Sequence, residues 1–195
     1  MVIDVNIIPT VIDKQYGTEK YYDIFSMLLK ERIIMISGEI NSEMSSIVIA
    51  ELLYLYNLDN KKDIQIYINS PGGEVNAGLA IFDTMKYLKC DIHTICVGMC
   101  ASMAAILLAA GTKGKRSSLP NGQIMIHQPM GGVSGQVSDV DIVAKKLVQM
   151  KKKLNHILAD LTSNSVNKIE KDTDRDNYMD AQEALKYGII DYVVS

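Results

Sequence analysis

Residues 63–73 read DIQIYINSPGG, and this stretch decides the class of the fold. From Asp63 to Asn69, isoleucines alternate with other side chains, a pattern that is typical of a β-strand with one buried face. Ser70-Pro71-Gly72-Gly73 interrupts the strand, and an apolar pattern of helical spacing follows from about Asn76 to Leu88. A strand, a break and a helix form the unit of α/β proteins, so we expect a largely parallel sheet with helices against it.

The segments on both sides repeat this order. We expect further strands at 33–37, 91–97, 123–127 and 189–194, and helices at 22–29, from about 42, at 101–110 and at 180–186. Residues 1–20 look irregular, and 113–121 look like a turn-rich connection. The longest predicted helix runs from about Ser138 to Ser163, which is longer than one compact domain needs, so it should project and contact another subunit.

The composition is that of one globular domain. The chain has 195 residues, of which 48% are hydrophobic and 22% charged, and its net charge of -3 offers no basic field for nucleic acid. The longest charge-free stretch, between Asp91 and Lys113, contains His93 and breaks into two patterns, so we expect no membrane span. Cys90, Cys96 and Cys100 form no CxxC pair and are expected to be free thiols in a reducing cytoplasm.

A candidate nucleophile lies in GMCASMAA, residues 98–105, where a predicted strand meets a helix. Ser102 stands near the helix start, where unpaired N–H groups favour developing negative charge, although a helix cap is the other interpretation. The chain has three histidines that could serve as its base. His156 belongs to the lysine-rich long helix and His93 to the middle of a strand. His127 ends a strand, which is where α/β proteins place reacting groups.

Two further motifs could complete a hydrolytic site. The charged run KDTDRD at 171–176 offers three aspartates that could orient a histidine, and the spacing does not choose among them. A solvated charge run is the alternative. The two glycines of SPGG could present an N–H group to a substrate carbonyl, with the Met103 amide as the second half of an oxyanion hole, but the motif alone also fits a tight turn.

Several long motifs, in the same order, resemble the proteolytic subunit of the Clp protease, the ClpP family. The matching segments are YINSPGG (67–73), GMCASMAA (98–105), KGKRSSLPN (113–121), MIHQPMGG (125–132) and DTDRDNYM (172–179). The resemblance covers the chain from about Ile8 to its carboxyl terminus. It implies a ClpP/crotonase-like α/β fold of repeated ββα units, with a protruding handle helix at about 134–163.

The resemblance also implies a role for particular residues. It assigns Ser102 as the nucleophile of a serine endopeptidase, His127 as its base and Asp176 as the third triad member. The oxyanion amides would be those of Gly73 and Met103. Two strands would flank the bound peptide, formed by Gly72, Gly73, Glu74 and Val75 and by Met130, Gly131, Gly132 and Val133. Contacts between rings would involve Gln136, Asp174 and Arg175, and docking of the ATPase would involve Gln65, Tyr67 and Tyr87.

At the level of the assembly, the resemblance implies a homo-oligomer of two stacked seven-membered rings. A Clp-type AAA+ ATPase would feed unfolded polypeptides into the chamber and use the ATP, so this chain needs no cofactor and no metal. Nucleic acid and membrane are not expected partners, and the location would be cytoplasmic. Residues 1–20 would form an axial segment, with room for a propeptide at Met1–Asn6, and 21–195 the protease domain.

Departures from the family pattern keep other interpretations open. Glu74 stands where an apolar or small residue is expected, Met99-Cys100 precedes the serine, and Gln65 replaces an aromatic residue of the docking pocket. One alternative is a weakly active paralogue that acts mainly as a structural partner in mixed rings. Others are a crotonase-like acyl-CoA enzyme and a peptidase with a Ser-Lys pair.

Overall fold

The computed structural model describes residues 8–15 and 18–194, and its elements alternate as the sequence predicts. The strands are β1 (Thr10–Gln15), β2 (Thr18–Asp23), β3 (Ile33–Ser37), β4 (Ile64–Ser70), β5 (Ile92–Ala101), β6 (Arg116–Ser118), β7 (Gln123–Ile126), β8 (Asn177–Met179) and β9 (Tyr192–Val193). The helices are α1 (Ile24–Lys30), α2 (Ser42–Leu58), α3 (Val75–Tyr87), α4 (Met103–Ala109), α5 (Val137–Thr162), α6 (Val166–Asp172) and α7 (Ala181–Tyr187).

The main sheet is mostly parallel, which confirms the predicted α/β fold. Strands β3, β4, β5, β6 and β9 adjoin in that order, and every pair among them is parallel. The first half of β5 pairs with β6, and its second half pairs with β7. The sheet therefore brings the ends of β4, β5 and β7 together at one edge, where strand ends meet the loops that follow them.

The core forms between one face of this sheet and the helices. On β4, the side chains of Ile64, Ile66 and Ile68 are fully buried, whereas Gln65 and Tyr67 are half-buried on the opposite face. All seven residues of α4 are buried. Because burying one large aliphatic side chain contributes about 1.5–3 kcal/mol, the alternation along β4 fixes which face of the strand turns inward.

Helix α5 has two different halves. It spans 26 residues, or about 39 Å at 1.5 Å per residue, and its buried residues begin only at Leu154. In the first half, Val137, Ile142 and Val148 are exposed by 87%, 63% and 55%. The predicted projecting helix is thus present, and we call α5 the handle helix.

Five elements differ from the sequence prediction, namely β1, β2, β6, α6 and β8. Strands β1 and β2 pair as an antiparallel hairpin where the sequence predicts an irregular segment, because their backbone hydrogen bonds need no buried apolar face. A short strand, β6, lies inside the segment predicted as a connection. Helix α6 and strand β8 are absent from the sequence prediction, because they are short: α6 has seven residues and β8 has three. The segment Met1–Asn6 lies outside the described residues.

The start of helix α7 and the three cysteines agree with the sequence prediction. Asp180 and Glu183 form the capping box that begins α7. Cys90, Cys96 and Cys100 are buried and free. Among the described residues, no helix combines the length and the apolar character that a membrane crossing requires.

Candidate active site

Ser102 lies between β5 and α4 in a strained backbone conformation. Its φ of 56° and ψ of -121° belong to a region that residues with a Cβ rarely adopt. Its N–H group donates to the Met125 carbonyl at 2.8 Å, which fixes the turn against β7. The side chain makes no capping hydrogen bond to α4, so Ser102 is not a simple helix cap.

A bulge in β5 delivers the chain to this turn. Ile68 pairs with Cys96 and Ser70 with Cys100, so four steps along β5 match two steps along β4. Within the bulge, Gly98 has a φ of +85°, and a Cβ there would lie 2.9 Å from the side-chain oxygen of Asn69. That oxygen accepts a hydrogen bond from the Met99 N–H at 3.2 Å. The glycine thus permits the bend that places Ser102 at the sheet edge.

Three side chains that are far apart in sequence form one hydrogen-bonded chain. The distance from Ser102 Oγ to His127 Nε2 is 2.8 Å, and from His127 Nδ1 to Asp176 Oδ1 it is 3.0 Å. An ionised carboxylate only accepts hydrogen bonds, so Asp176 selects the tautomer with its proton on Nδ1. The lone pair of Nε2 is then free to receive the serine proton.

The structure separates the three aspartates of 171–176. Asp176 is the one within hydrogen-bond distance of His127. Asp172 instead accepts from the Tyr187 hydroxyl at 2.8 Å, and hydrogen bonds from its neighbours hold its pKa below the ordinary value although burial opposes this. Asp174 faces Lys151 at 3.7 Å. The spacing leaves the three aspartates equivalent, and the short α6 and β8 bring Asp176 within hydrogen-bond distance of His127.

The SPGG segment lies directly against Ser102. A Cβ on Gly72 would lie 2.7 Å from the Ser102 Cβ and 3.1 Å from the Met103 nitrogen. Gly73 forms a bridge with Ile40, in which Ile40 N–H donates to the Gly72 carbonyl and Glu74 N–H donates to the Ile40 carbonyl, both at 2.8 Å.

Two N–H groups next to Ser102 therefore remain available. Within the described residues, the bridge with Ile40 leaves the N–H of Gly73 without an acceptor. Met103 begins α4, so its N–H has no acceptor within the helix. Gly73 as a residue is exposed, whereas Met103 is 1% exposed. The two groups are suited to hold a negatively charged oxygen that develops near the serine.

The segments expected to flank a peptide as strands are not strands in this chain. Val75 begins α3, with Glu74 before it, and residues 130–133 have no strand partner among the described residues. The single bridge with Ile40 pairs Gly72 and Glu74 on one side only, and a continuous strand needs a longer facing backbone for its hydrogen bonds. A cavity of about 450 Å³ lies beside His127, and Met130, with 81% of its surface exposed, forms part of its wall.

The other residues singled out by the sequence are spread over the surface. Gln136 precedes the handle helix without a capping hydrogen bond. Arg175 is exposed, and its guanidinium donates to the carbonyl of Asp174 at 3.3 Å. Tyr87 is 76% exposed at the end of α3. Gln65 shares its half-buried sheet face with Tyr67, as the alternation predicts.

Gln128 is a site residue that the sequence reasoning missed. Its backbone N–H donates to the Thr173 carbonyl, and its side-chain nitrogen donates to the Asp174 carbonyl, both at 2.7 Å. These bonds hold the segment that carries Asp176. Its position directly after His127 was the one signal available in the sequence. No group of three His, Cys, Asp or Glu side chains suited to a metal ion occurs in the described residues.

Comparison with known proteins agrees with this geometry. A family model described as Clp protease matches residues 16–195, which is nearly the whole chain. The match includes the serine turn, the SPGG segment, His127 and the aspartate-rich run. The chain therefore belongs to the Clp protease family and, with it, to the ClpP-type peptidases.

Proposed function

We propose that this chain is a serine endopeptidase whose catalytic triad is Ser102, His127 and Asp176. The observation that carries the proposal is the continuous hydrogen-bonded chain of these three side chains at a strained turn. Such strain persists in folded proteins mostly where function requires it. Membership of the Clp protease family supports peptide hydrolysis as the reaction.

The geometry supports an acyl-enzyme mechanism. Ser102 Oγ attacks the carbonyl carbon of the scissile peptide bond while His127 Nε2 takes the hydroxyl proton. The N–H groups of Gly73 and Met103 stabilise the oxyanion, and one such donor typically contributes about 10²–10³ in rate. His127 then gives its proton to the leaving amine. Water hydrolyses the acyl-serine ester in the same way, and Asp176 stabilises the imidazolium in both steps.

The substrate would be an extended polypeptide that lies between the segments 72–75 and 130–133. The segment 72–75 bonds Ile40 on one side only, and 130–133 has no strand partner within the described chain, so each has backbone groups that an extended peptide can use. The exposed Met130 offers apolar contact beside His127. The exposed Glu74, next to Gly73, would add a negative charge to the groove.

The chamber would consist of two stacked seven-membered rings. Exposed apolar side chains on the handle helix, such as Val137 and Ile142, support a contact between rings, together with Gln136, Asp174 and Arg175. An apolar groove of about 480 Å³ between α1 and α2 supports a contact between neighbours in one ring. In this arrangement residues 1–20 form the axial segment and 21–195 the protease domain.

A Clp-type AAA+ ATPase would feed unfolded polypeptides to the chamber and would use the ATP, with no cofactor in this chain. Its docking site would include Gln65, Tyr67 and Tyr87, and the location would be the cytoplasm. Because Gln65 supplies no aromatic anchor, a second paralogous ring that carries the docking site is a further arrangement of the same proposal.

The experiment is to fractionate the purified protein by size and to assay each fraction with a short fluorogenic peptide. We expect hydrolysis to coincide with a particle of fourteen 21.6 kDa subunits, without ATP. A folded protein should not be degraded by the same fractions. Rapid ATP-independent degradation of a folded protein would contradict the chamber, and assembled rings without peptide hydrolysis would favour the weakly active ring partner instead.

A further inference from the structure

Asn155 is a buried polar residue of the handle helix that the proposed mechanism does not use. Its surface is 3% exposed. Its Nδ2 atom has no hydrogen-bond partner, and among the described residues it is the single buried side-chain nitrogen or oxygen atom of this kind. An unpaired buried donor costs about 1–3 kcal/mol, so a folded protein retains one only for a reason.

The neighbouring Thr173 shows how the amide is used. Thr173 Oγ1 lies 2.7 Å from the Ile169 carbonyl and 3.3 Å from the side-chain oxygen of Asn155. A hydroxyl has one hydrogen, and the shorter contact with the Ile169 carbonyl takes it. The contact with Asn155 is therefore a hydrogen bond only when the amide is turned so that its N–H donates to Thr173 Oγ1. That orientation gives the nitrogen of Asn155 a partner and puts its oxygen, in place of the nitrogen, at the buried position that has none.

Thr173 in turn holds the segment that carries the triad acid. It ends α6, is 2% exposed, and its carbonyl accepts the Gln128 N–H at 2.7 Å. The segment 173–174 is thus fixed from two sides. Asn155 holds it from the handle helix, and Gln128, directly after His127, holds it from the site. Asp176 follows three residues later and reaches His127 at 3.0 Å.

We propose that Asn155 is a positioning residue that ties the handle helix to the acid-bearing segment and so keeps Asp176 on His127. This inference rests on the proposed peptidase function. Asn155 touches neither substrate nor Ser102, and acts through Thr173. The first half of the same helix is exposed. A partner that fixes this half would therefore also affect the position of Asp176 relative to His127.

The first test removes the hydroxyl that Asn155 binds. Thr173→Val keeps the shape of the side chain without its oxygen, and Thr173→Ser keeps the oxygen. We expect Thr173→Val to lower kcat for a fluorogenic peptide about tenfold with KM within about twofold, because displaced catalytic groups slow the chemical step more than binding. The rate of Ser102 labelling by a fluorophosphonate should fall in parallel. Thr173→Ser should stay within about twofold of wild type in both measurements.

The second test changes Asn155 itself. Asn155→Leu should slow labelling as Thr173→Val does, and the double variant should be little slower than either single one, since both remove the same bond. Thr162→Val is the matched control. Thr162 is buried on the same helix, but its hydroxyl bonds the Leu158 carbonyl and does not reach the acid-bearing segment. This control should lower Tm and leave the labelling rate unchanged.

The outcomes separate the two proposals. If wild type is not labelled at Ser102, the proposed function is wrong, and the positioning role of Asn155, which rests on it, is wrong as well. If wild type is labelled and folded Thr173→Val and Asn155→Leu proteins react at its rate, the positioning role alone is overturned. Equal losses in Thr173→Ser and Thr173→Val would also overturn it, because the hydroxyl would then not matter.

Discussion

The backbone conformation of Ser102, with a φ of 56°, costs about 1–3 kcal/mol of strain. The surrounding contacts show how the fold stabilises it. Its N–H group donates to the Met125 carbonyl, and Gly72 lies against its Cβ with no side chain between them. The conformation therefore depends on the two neighbouring segments more than on Ser102 itself. The side chain is left to hydrogen-bond His127, which is the arrangement that the proposed chemistry requires.

Ser102→Ala should abolish peptide hydrolysis while leaving the fold intact. Loss of a triad nucleophile costs about 10⁴-fold or more in kcat, and alanine removes one half-buried hydroxyl that contributes little to packing. Initial rates with a fluorogenic peptide measure the first effect, and thermal unfolding and sedimentation measure the second. Residual activity within tenfold of wild type would show that another residue is the nucleophile.

Asp176→Asn should impair hydrolysis strongly, and Asp172→Asn should not. An asparagine at position 176 can present its N–H₂ group to His127 and so favour the wrong tautomer, a change that costs on the order of 10²–10⁴ in kcat. Asp172 is the matched control, because it lies four residues away in the same run and binds Tyr187 instead. The check is kcat for both purified variants. Comparable losses in the two would refute the assignment of the acid.

At the scale of secondary structure elements, one ion pair joins the end of the chain to the core. The guanidinium of Arg116 on β6 donates two hydrogen bonds to Asp191, at 2.6 Å and 2.9 Å, and another to the Leu161 carbonyl of the handle helix, and the backbone N–H of Arg116 donates to Asp191 at 3.1 Å. The guanidinium side chain is 4% exposed. The pair therefore links β6, the segment before β9 and the buried end of α5.

Asp191→Asn should lower the free energy of unfolding by about 3–5 kcal/mol, because it leaves the buried Arg116 charge unpaired. Burial alone would raise the pKa of Asp191, but the hydrogen bonds from Arg116 hold it below the ordinary 3.8. The stabilisation is therefore complete above the pKa of the unfolded chain and is lost as the pH falls through the lower folded pKa. Urea unfolding from pH 7 to pH 3 measures it.

The control for this prediction is an exposed pair on the first half of the handle helix. Lys145 and Asp141 lie 2.6 Å apart, but both side chains are more than half exposed. Asp141→Asn should therefore change the free energy of unfolding by less than about 0.5 kcal/mol. A difference between wild type and Asp191→Asn that stays constant down to pH 3 would contradict the role of the carboxylate.

The elements that could be predicted from the sequence are those whose side chains decide their structure. The alternation on β4, the apolar stripe of α5 and the capping box of α7 are properties of local sequence. The polar hairpin β1–β2 and the short β6 depend on backbone pairing, which leaves no such pattern.

The candidate site divides in the same way. Ser102 and His127 stand at recognisable strand ends, and the resemblance to the ClpP family singled out Asp176. Residue spacing alone could not choose that acid, because the choice depends on where α6 ends and β8 begins. Asn155 and Gln128 act through residues that are distant in sequence, so their roles could not be predicted. The strained φ of Ser102 arises from contacts with neighbouring segments, and it could not be predicted either.

At the scale of the whole molecule, the described chain already holds Ser102, His127 and Asp176 in one hydrogen-bonded chain, whereas several large apolar side chains are exposed. The handle helix exposes Val137, Ile142 and Val148, which a single copy leaves in contact with water. Patches of this kind mark contacts with other chains. The proposed rings would cover them.

Arg175→Ala should weaken the contact between the two rings. Arg175 is exposed, and within the described part of the chain its side chain hydrogen-bonds the neighbouring Asp174 carbonyl and no other group, so its loss should not disturb the single chain. Sedimentation velocity should show smaller particles at low protein concentration, with peptide hydrolysis falling as they appear. An unchanged particle with full activity would show that Arg175 has no part in assembly.

Gln65→Tyr should strengthen binding of the Clp ATPase. Aromatic anchors often dominate such contacts, and regaining one is worth about 2 kcal/mol, or roughly thirtyfold in affinity per site, although avidity around a ring softens the effect. The measurement is the affinity of wild-type and variant rings for the ATPase. Tight binding by wild type that the substitution does not change would mean that a neighbour such as Tyr87 already supplies the apolar area.

The central claim is that Ser102 is a nucleophile activated by His127. Its most direct test is to treat wild type and His127→Ala with a fluorophosphonate and to locate the adduct by peptide mass spectrometry. We predict one adduct, on Ser102, in wild type and its loss in His127→Ala, because a serine without its base is not reactive. No adduct on Ser102 in wild type, or equal labelling of the two proteins, would contradict the account.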